Sequence, residues 1–140
     1  MTGHPIVVFT DGAAKGNPGP GGWAWAVPGG PQGSGHDPAT TNQRMEVRAA
    51  FEAVRALPGP LVVVSDSTYV VNCFKNSWWR GWRARGWLNS AKKPVANRDL
   101  WEPLIDLVDG LAVAASHDPS LVGPPPPVFD GEEQGTLFGG

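Results

Sequence analysis

Cysteine is almost absent from this chain: Cys73 stands alone among 140 residues, which excludes an internal disulfide. A single domain of that length buries about two-thirds of the surface its unfolded chain exposes, so no covalent staple is required. Long apolar runs are also absent, and none approaches the length that spans a bilayer, which argues against a membrane partner. No charged-then-apolar leader opens the sequence. These absences point to a reducing compartment, the cytoplasm.

Charge of one sign is missing from each of two stretches. Between Lys75 and Arg98 there is no acid, while Lys75, Arg80, Arg83, Arg85, Lys92, Lys93 and Arg98 all fall there. From Asp99 onward there is no Lys or Arg, against eight acids. The net charge of −2 conceals this segregation. A basic block on an acidic chain is a local footprint for a polyanion.

The pattern of apolar residues predicts an α/β domain. IVVFT (6–10) and LVVVS (61–65) are short continuous β-branched runs, the mark of strands buried on both faces. WAWAV (23–27) and the weaker GPQGSG (30–35) predict a meander of two or three antiparallel strands. Met45, Ala49, Ala50, Ala53, Val54 and Leu57 share one helical face, ended by Pro58 and Gly59. STYVVNCF (67–74) reads as a helix opening directly after LVVVS, and residues 77–96 carry a tryptophan-rich helix and a loop. From Leu100, a helical stripe continues through Trp101, Leu104, Ile105, Val108, Leu111, Ala112 and Ala115, against the grain of Pro103 and Gly110. Residues 117–140, with four consecutive prolines at 124–127, predict a disordered tail, leaving 1–116 as the folded domain.

Three carboxylates stand where a fold normally avoids a lone charge. Asp11 follows IVVFT, Asp66 follows LVVVS, and Glu46 lies at the edge of the apolar face of the first helix. A strand, a helix and another buried strand make a right-handed crossover, which makes the two strands parallel and brings Asp11 and Asp66 to one carboxyl edge. An unpaired carboxylate against a core costs several kcal/mol, so three together imply paired cations or a bound metal. Taken singly, Asp11 also suits a turn, Asp66 a helix cap and Glu46 a surface position.

FTDGAAKGNPGPGG (9–22), TTNQRMEVRAA (40–50), SDSTYV (65–70), WRARGW (82–87) and KKPVANRDLW (92–101) resemble, in order and spacing, the blocks of type 1 ribonuclease H. That resemblance implies a ribonuclease H-like mixed sheet, an antiparallel meander plus a parallel strand, flanked by helices. It implies an endonuclease that hydrolyses the RNA strand of RNA–DNA hybrids and leaves 5'-phosphate products. Asp11, Glu46 and Asp66 match three of the family's four metal-binding carboxylates, and Asp109 is the best match for the fourth, with Asp106 as a substitute. The implied cofactor is a pair of Mg²⁺ ions, with Mn²⁺ able to replace them. The glycine-rich loop with Asn17, together with Asn42 and Thr68, resembles the family's hybrid-contacting positions. Thr41, Arg44 and Asn97 resemble its phosphate pocket on the DNA strand. Trp78, Trp82 and Trp87, interleaved with Arg80, Arg83 and Arg85, resemble its basic protrusion; an amphipathic helix with inward-packed tryptophans is the plainer alternative.

The resemblance breaks near the end. The block matching the fourth carboxylate, VDGLAVAA, begins at Val108, too close to Trp101 for the family's last strand and histidine loop to intervene. The expectation is that both are missing, that LVVVS has an open edge through which a normally monomeric chain could dimerise, and that catalysis is weakened. The competing reading is a hybrid-binding module with little turnover. In the tail, QGTLF (134–138) resembles the Q-x-x-L-F peptides that bind the bacterial sliding clamp, with Gln134, Leu137 and Phe138 as anchors.

Overall fold

The two continuous β-branched runs pair at the centre of the structure, a computed structural model that describes residues 5–109 and 113–116. Strand β1 (Ile6–Ala14) runs parallel to β4 (Leu61–Ser65), with Ile6 opposite Leu61 and Thr10 opposite Ser65. Val8, Phe9, Val63 and Val64 are buried there, which is why neither run alternates apolar and polar residues.

On the other side of β1 the expected meander forms, longer than its apolar residues indicate. Strand β2 (Gly19–Ala26) pairs antiparallel with β1, and β3 (Gln32–Thr40) pairs antiparallel with β2. The glycines of β3 have a packing reason: a Cβ at Gly33 would come within 2.6 Å of the Trp25 indole, and one at Gly35 within 2.5 Å of the Trp23 indole. The two rings lie where side chains of β3 would otherwise stand.

Helix α1 (Asn42–Ala56) begins at Thr41, whose hydroxyl accepts the Arg44 N–H at 3.2 Å, an N-cap bond. Its apolar face, Val47, Ala50, Ala53 and Val54, is buried in the core. Helix α2 (Thr68–Lys75) follows β4, with Ser67 accepting the Val70 N–H at 3.1 Å as its cap. Helix α3 (Trp78–Ala84) and a loop lead to α4 (Arg98–Asp109), which buries Trp101, Leu104 and Ile105 against the same core despite Pro103. No helix among the described residues is long and apolar enough to cross a membrane.

The end of the described chain corrects the sequence reading. The helical stripe does not continue to Ala115: α4 ends at Asp109, and Val113–Ser116 form β5, parallel to β4 from Leu61↔Val113 to Val64↔Ser116. The sheet therefore has five strands in the order β3-β2-β1-β4-β5. The last strand is present because the segment VAAS, matched to a following helix, supplies it. Gly110 is a poor helix residue, and small or β-branched side chains along the open edge of β4 gain a full ladder of hydrogen bonds by pairing there. LVVVS consequently has no open edge, and the expected route to dimerisation through it is removed. The predicted tail, including QGTLF with Gln134, Leu137 and Phe138, lies outside the described residues.

Candidate active site

The parallel pair delivers two of the three acids to one place. Thr10↔Ser65 is its last matched pair, so Asp11 and Asp66 occupy the next positions on adjacent chains, at strand spacing of about 4.8 Å. At Asp11 strand β1 leaves β4 and continues with β2 alone, opposite Ala24. Asp11 thus lies within a strand, where the sequence suggests its end.

Gly12 brings in the third acid. A Cβ at this position would overlap the Met45 carbonyl group and come within 2.6 Å of the Glu46 nitrogen. Only glycine lets α1 press onto β1 at this level, and that contact sets Glu46 beside Asp11. Ser67 completes the arrangement: its hydroxyl donates to Glu46 Oε1 at 2.9 Å while its oxygen caps α2.

The electrostatics follow from the placement of the three acids. Burial lifts the Asp11 carboxyl to about 7, with the charges of Asp66 and Glu46 adding to the rise and the Gly12 N–H, 2.9 Å from Oδ1, opposing it. Burial likewise raises Glu46, opposed by the Ser67 hydroxyl and assisted by Asp66. Among the described residues no Lys, Arg or His forms an ion pair with any of the three. Nor, among the described residues, are any three His, Cys, Asp or Glu side chains gathered tightly enough to enclose an ion by themselves. The cluster fits a hard divalent cation that takes one or two carboxylates from the protein and fills its shell with water and substrate phosphate.

Asp109 ends α4, and Asp106, the substitute for the fourth ligand, pairs with Arg83 away from the cluster. Because β5 runs parallel to β4, Val113 sits at the amino end of the parallel strands. Asp66 lies at the carboxyl end, and the five residues of β4 separate the two edges by roughly 16 Å. Asp106 is exposed and accepts from Arg83 Nη2 at 3.0 Å.

The expected substrate-contacting residues divide into groups. Asn17 is exposed in the turn between β1 and β2, Thr68 is exposed at the start of α2, and Asn42 Oδ1 accepts the Ala14 N–H at 2.6 Å. Thr41, Arg44 and Asn97 do come together, but with an acid that the sequence reading overlooked: Arg44 is held by both oxygens of Asp99 at 2.9 and 2.7 Å and donates to Asn97 Oδ1 at 3.3 Å. The guanidinium keeps Asp99 below the ordinary carboxylate range.

The tryptophans split between surface and core. Trp78 is exposed, Trp82 packs against Trp78, Trp87 and Trp101, and Trp87 is buried in the core, as the plainer alternative of inward-packed tryptophans has it. Arg80 lies over the Trp79 ring, and Arg85 Nε donates to the Leu88 carbonyl at 3.3 Å. Three participants escaped the sequence reading. Ser67 had a legible signal as the residue before a helix, whereas Tyr69 and Asp99 act through contacts distant in the chain.

A mixed sheet that sets two carboxylates at its parallel carboxyl edge and a third on the helix packed across it defines the ribonuclease H-like class of fold. The family model described as RNase H matches residues 3–119. The chain is 50% identical over 106 residues to a ribonuclease H of Symbiobacterium thermophilum, covering 72% of each chain. It is 51% identical over 106 residues to one of Erythrobacter litoralis, covering 72% of this chain and 73% of that one. A foamy viral protease-reverse transcriptase solved in complex with RNA/DNA hybrid superposes with a TM-score of 0.68 at 26% identity, over 84% of this chain and 18% of that one. The chain belongs to the RNase H family. The family generally uses divalent metal ions.

Proposed function

We propose that this chain hydrolyses the RNA strand of RNA–DNA hybrids, with Asp11, Glu46 and Asp66 holding Mg²⁺ at the carboxyl edge of the sheet and 5'-phosphate products left behind. The observation that carries the proposal is the cluster of three mutually repelling carboxylates without a described cationic partner, in a chain whose relatives are named ribonuclease H. Bound divalent ions would activate a water and stabilise the leaving oxygen of an in-line displacement at phosphorus.

The protein's own residues supply position. Gly12 sets the approach of α1, Ser67 orients Glu46, and the shared end of β1 and β4 fixes Asp11 against Asp66. The DNA strand is expected to meet Thr41 and Asn97 beside the Arg44–Asp99 pair, and the exposed Trp78 with Arg80 and Arg85 to grip it further along. Asn17, Asn42 and Thr68 face the RNA strand in this reading. The single buried thiol, Cys73, suits a reducing compartment such as the cytoplasm.

The test is incubation of the full chain with an end-labelled hybrid, with and without Mg²⁺ or Mn²⁺, alongside duplex DNA and duplex RNA. Metal-dependent cutting of the RNA strand of the hybrid alone, with 5'-phosphate ends, is the expected result. Hybrid binding without cutting under any metal would overturn the enzymatic reading in favour of a binding module.

A further inference from the structure

Tyr69 lies on the second residue of α2, three positions after Asp66, and its ring packs edge-on to the buried Trp101 at 5.5 Å between centroids. Its hydroxyl accepts from Trp101 Nε1 at 2.8 Å and from Asn97 Nδ2 at 3.3 Å, and donates to the Ala96 carbonyl at 3.4 Å. An indole N–H and an amide N–H can only donate, so the hydroxyl proton must go to Ala96. All the bonding capacity of the phenol is thereby used, and its orientation is fixed.

Asn97 is the other half of this arrangement. Its carbonyl accepts the Leu100 and Trp101 N–H groups at 2.9 Å each, so it stands at the cap position of α4. A cap residue normally turns its side chain back onto the helix. Asn97 instead has a left-handed backbone, φ 61°, and sends its amide outward. There Oδ1 accepts from Arg44 Nη1 at 3.3 Å and Nδ2 donates to Tyr69. An amide has two N–H donors; one is taken by Tyr69, and the second has no acceptor among the described residues.

We infer that Tyr69 is a positioning residue for substrate: with Arg44 it clamps the Asn97 amide so that one N–H is presented to a phosphate oxygen of the DNA strand. This rests on the reading of Asn97 as a phosphate contact. It gives Arg44 the role of clamp, its guanidinium being committed to Asp99 and Asn97, where the sequence suggested direct phosphate contact. It also ties the phosphate contact to the start of α2, the segment that follows Asp66.

The experiment is a double-mutant cycle on the full chain, with hybrid affinity measured by fluorescence anisotropy in EDTA so that no cleavage occurs. Tyr69→Phe keeps the ring and its packing and removes only the hydroxyl. Asn97→Ala should weaken binding about fivefold and Tyr69→Phe about threefold, the scale of one hydrogen bond, and the double variant should bind no more weakly than Asn97→Ala. The slope of affinity against salt should not change, because the donor is neutral. Parent-like binding by Tyr69→Phe, or a full threefold loss repeated on top of Asn97→Ala, would overturn the inference. Parent-like binding by Asn97→Ala would instead overturn the phosphate-contact reading and the inference with it.

Discussion

Ser67 and Glu46 are joined by a hydrogen bond of 2.9 Å from the Ser67 hydroxyl to Glu46 Oε1, and the same oxygen accepts the Val70 N–H at 3.1 Å. One small side chain therefore starts α2 and holds a carboxylate of α1. Ser67→Ala is expected to lower stability by about 1 kcal/mol through the lost cap. It should slow cleavage by about tenfold, since a hydrogen bond to a charged group contributes about 1.5–3 kcal/mol. Ser67→Thr restores both. Thermal unfolding and single-turnover cleavage, measured on all three proteins, check the pairing of the two effects.

Asp11→Asn, Glu46→Gln and Asp66→Asn should each abolish cleavage while hybrid binding persists. Ion ligands need their charge, whereas affinity comes mainly from phosphate contacts elsewhere. Substantial cleavage by the Asp11→Asn protein would remove the metal assignment.

The raised Asp11 carboxyl gives a pH dependence of definite sign. Its ordinary value is 3.8 and its folded value about 7, so between these limits the native state holds more protons than the unfolded state. In EDTA, stability from this group is present in full below about pH 4, declines as pH rises toward 7, and is flat above. A melting series should fall across that window in the parent, and the Asp11→Asn protein should lack that component of the decline and melt a few degrees higher at pH 8. Added Mg²⁺ should raise the parent's melting temperature more at pH 8 than at pH 6, because the carboxylate must be ionised to bind it.

The tryptophans offer a contrast between binding and packing. Trp87 is 5% exposed and Trp78 37%. Trp87→Ala should cost about 3–5 kcal/mol of stability, the usual scale for an emptied aromatic site. Trp78→Ala should leave the melting temperature within a few degrees and weaken hybrid binding by about 1–3 kcal/mol if a base or sugar stacks there. Replacing Arg80 and Arg85 together should lower the salt slope by about two units if both meet phosphates.

These contrasts mark what the chain discloses of its own fold. IVVFT and LVVVS announce central strands because burial on both faces leaves a continuous apolar run, and the acids after them follow directly from that register. Strand β3 was poorly legible because QGSGHDPAT is polar and glycine-rich; its place comes from the indoles of Trp23 and Trp25 on the neighbouring strand. The inward turn of Trp87 could not be read, since a tryptophan between arginines fits a protrusion as well as a core. The break after Asp109 was missed because small residues serve a helix stripe and a parallel edge strand equally, and only the open edge of β4 decides between them.

The corrected order at that break carries the last prediction. Asp109 ends α4, β5 begins at the amino edge of the parallel strands, and Asp106 is held by Arg83, away from Asp11 and Asp66. Asp109→Asn is expected to leave hybrid cleavage within about twofold of the parent, below the scale of 10²–10⁴ that a lost catalytic group typically produces. Asp106→Asn should likewise leave the rate within about twofold. Cleavage measured at several Mg²⁺ concentrations checks both substitutions. A loss of a hundredfold or more in Asp109→Asn, recovered at high Mg²⁺, would show that this acid reaches the ions after all and that the segment around β5 rearranges in the working enzyme.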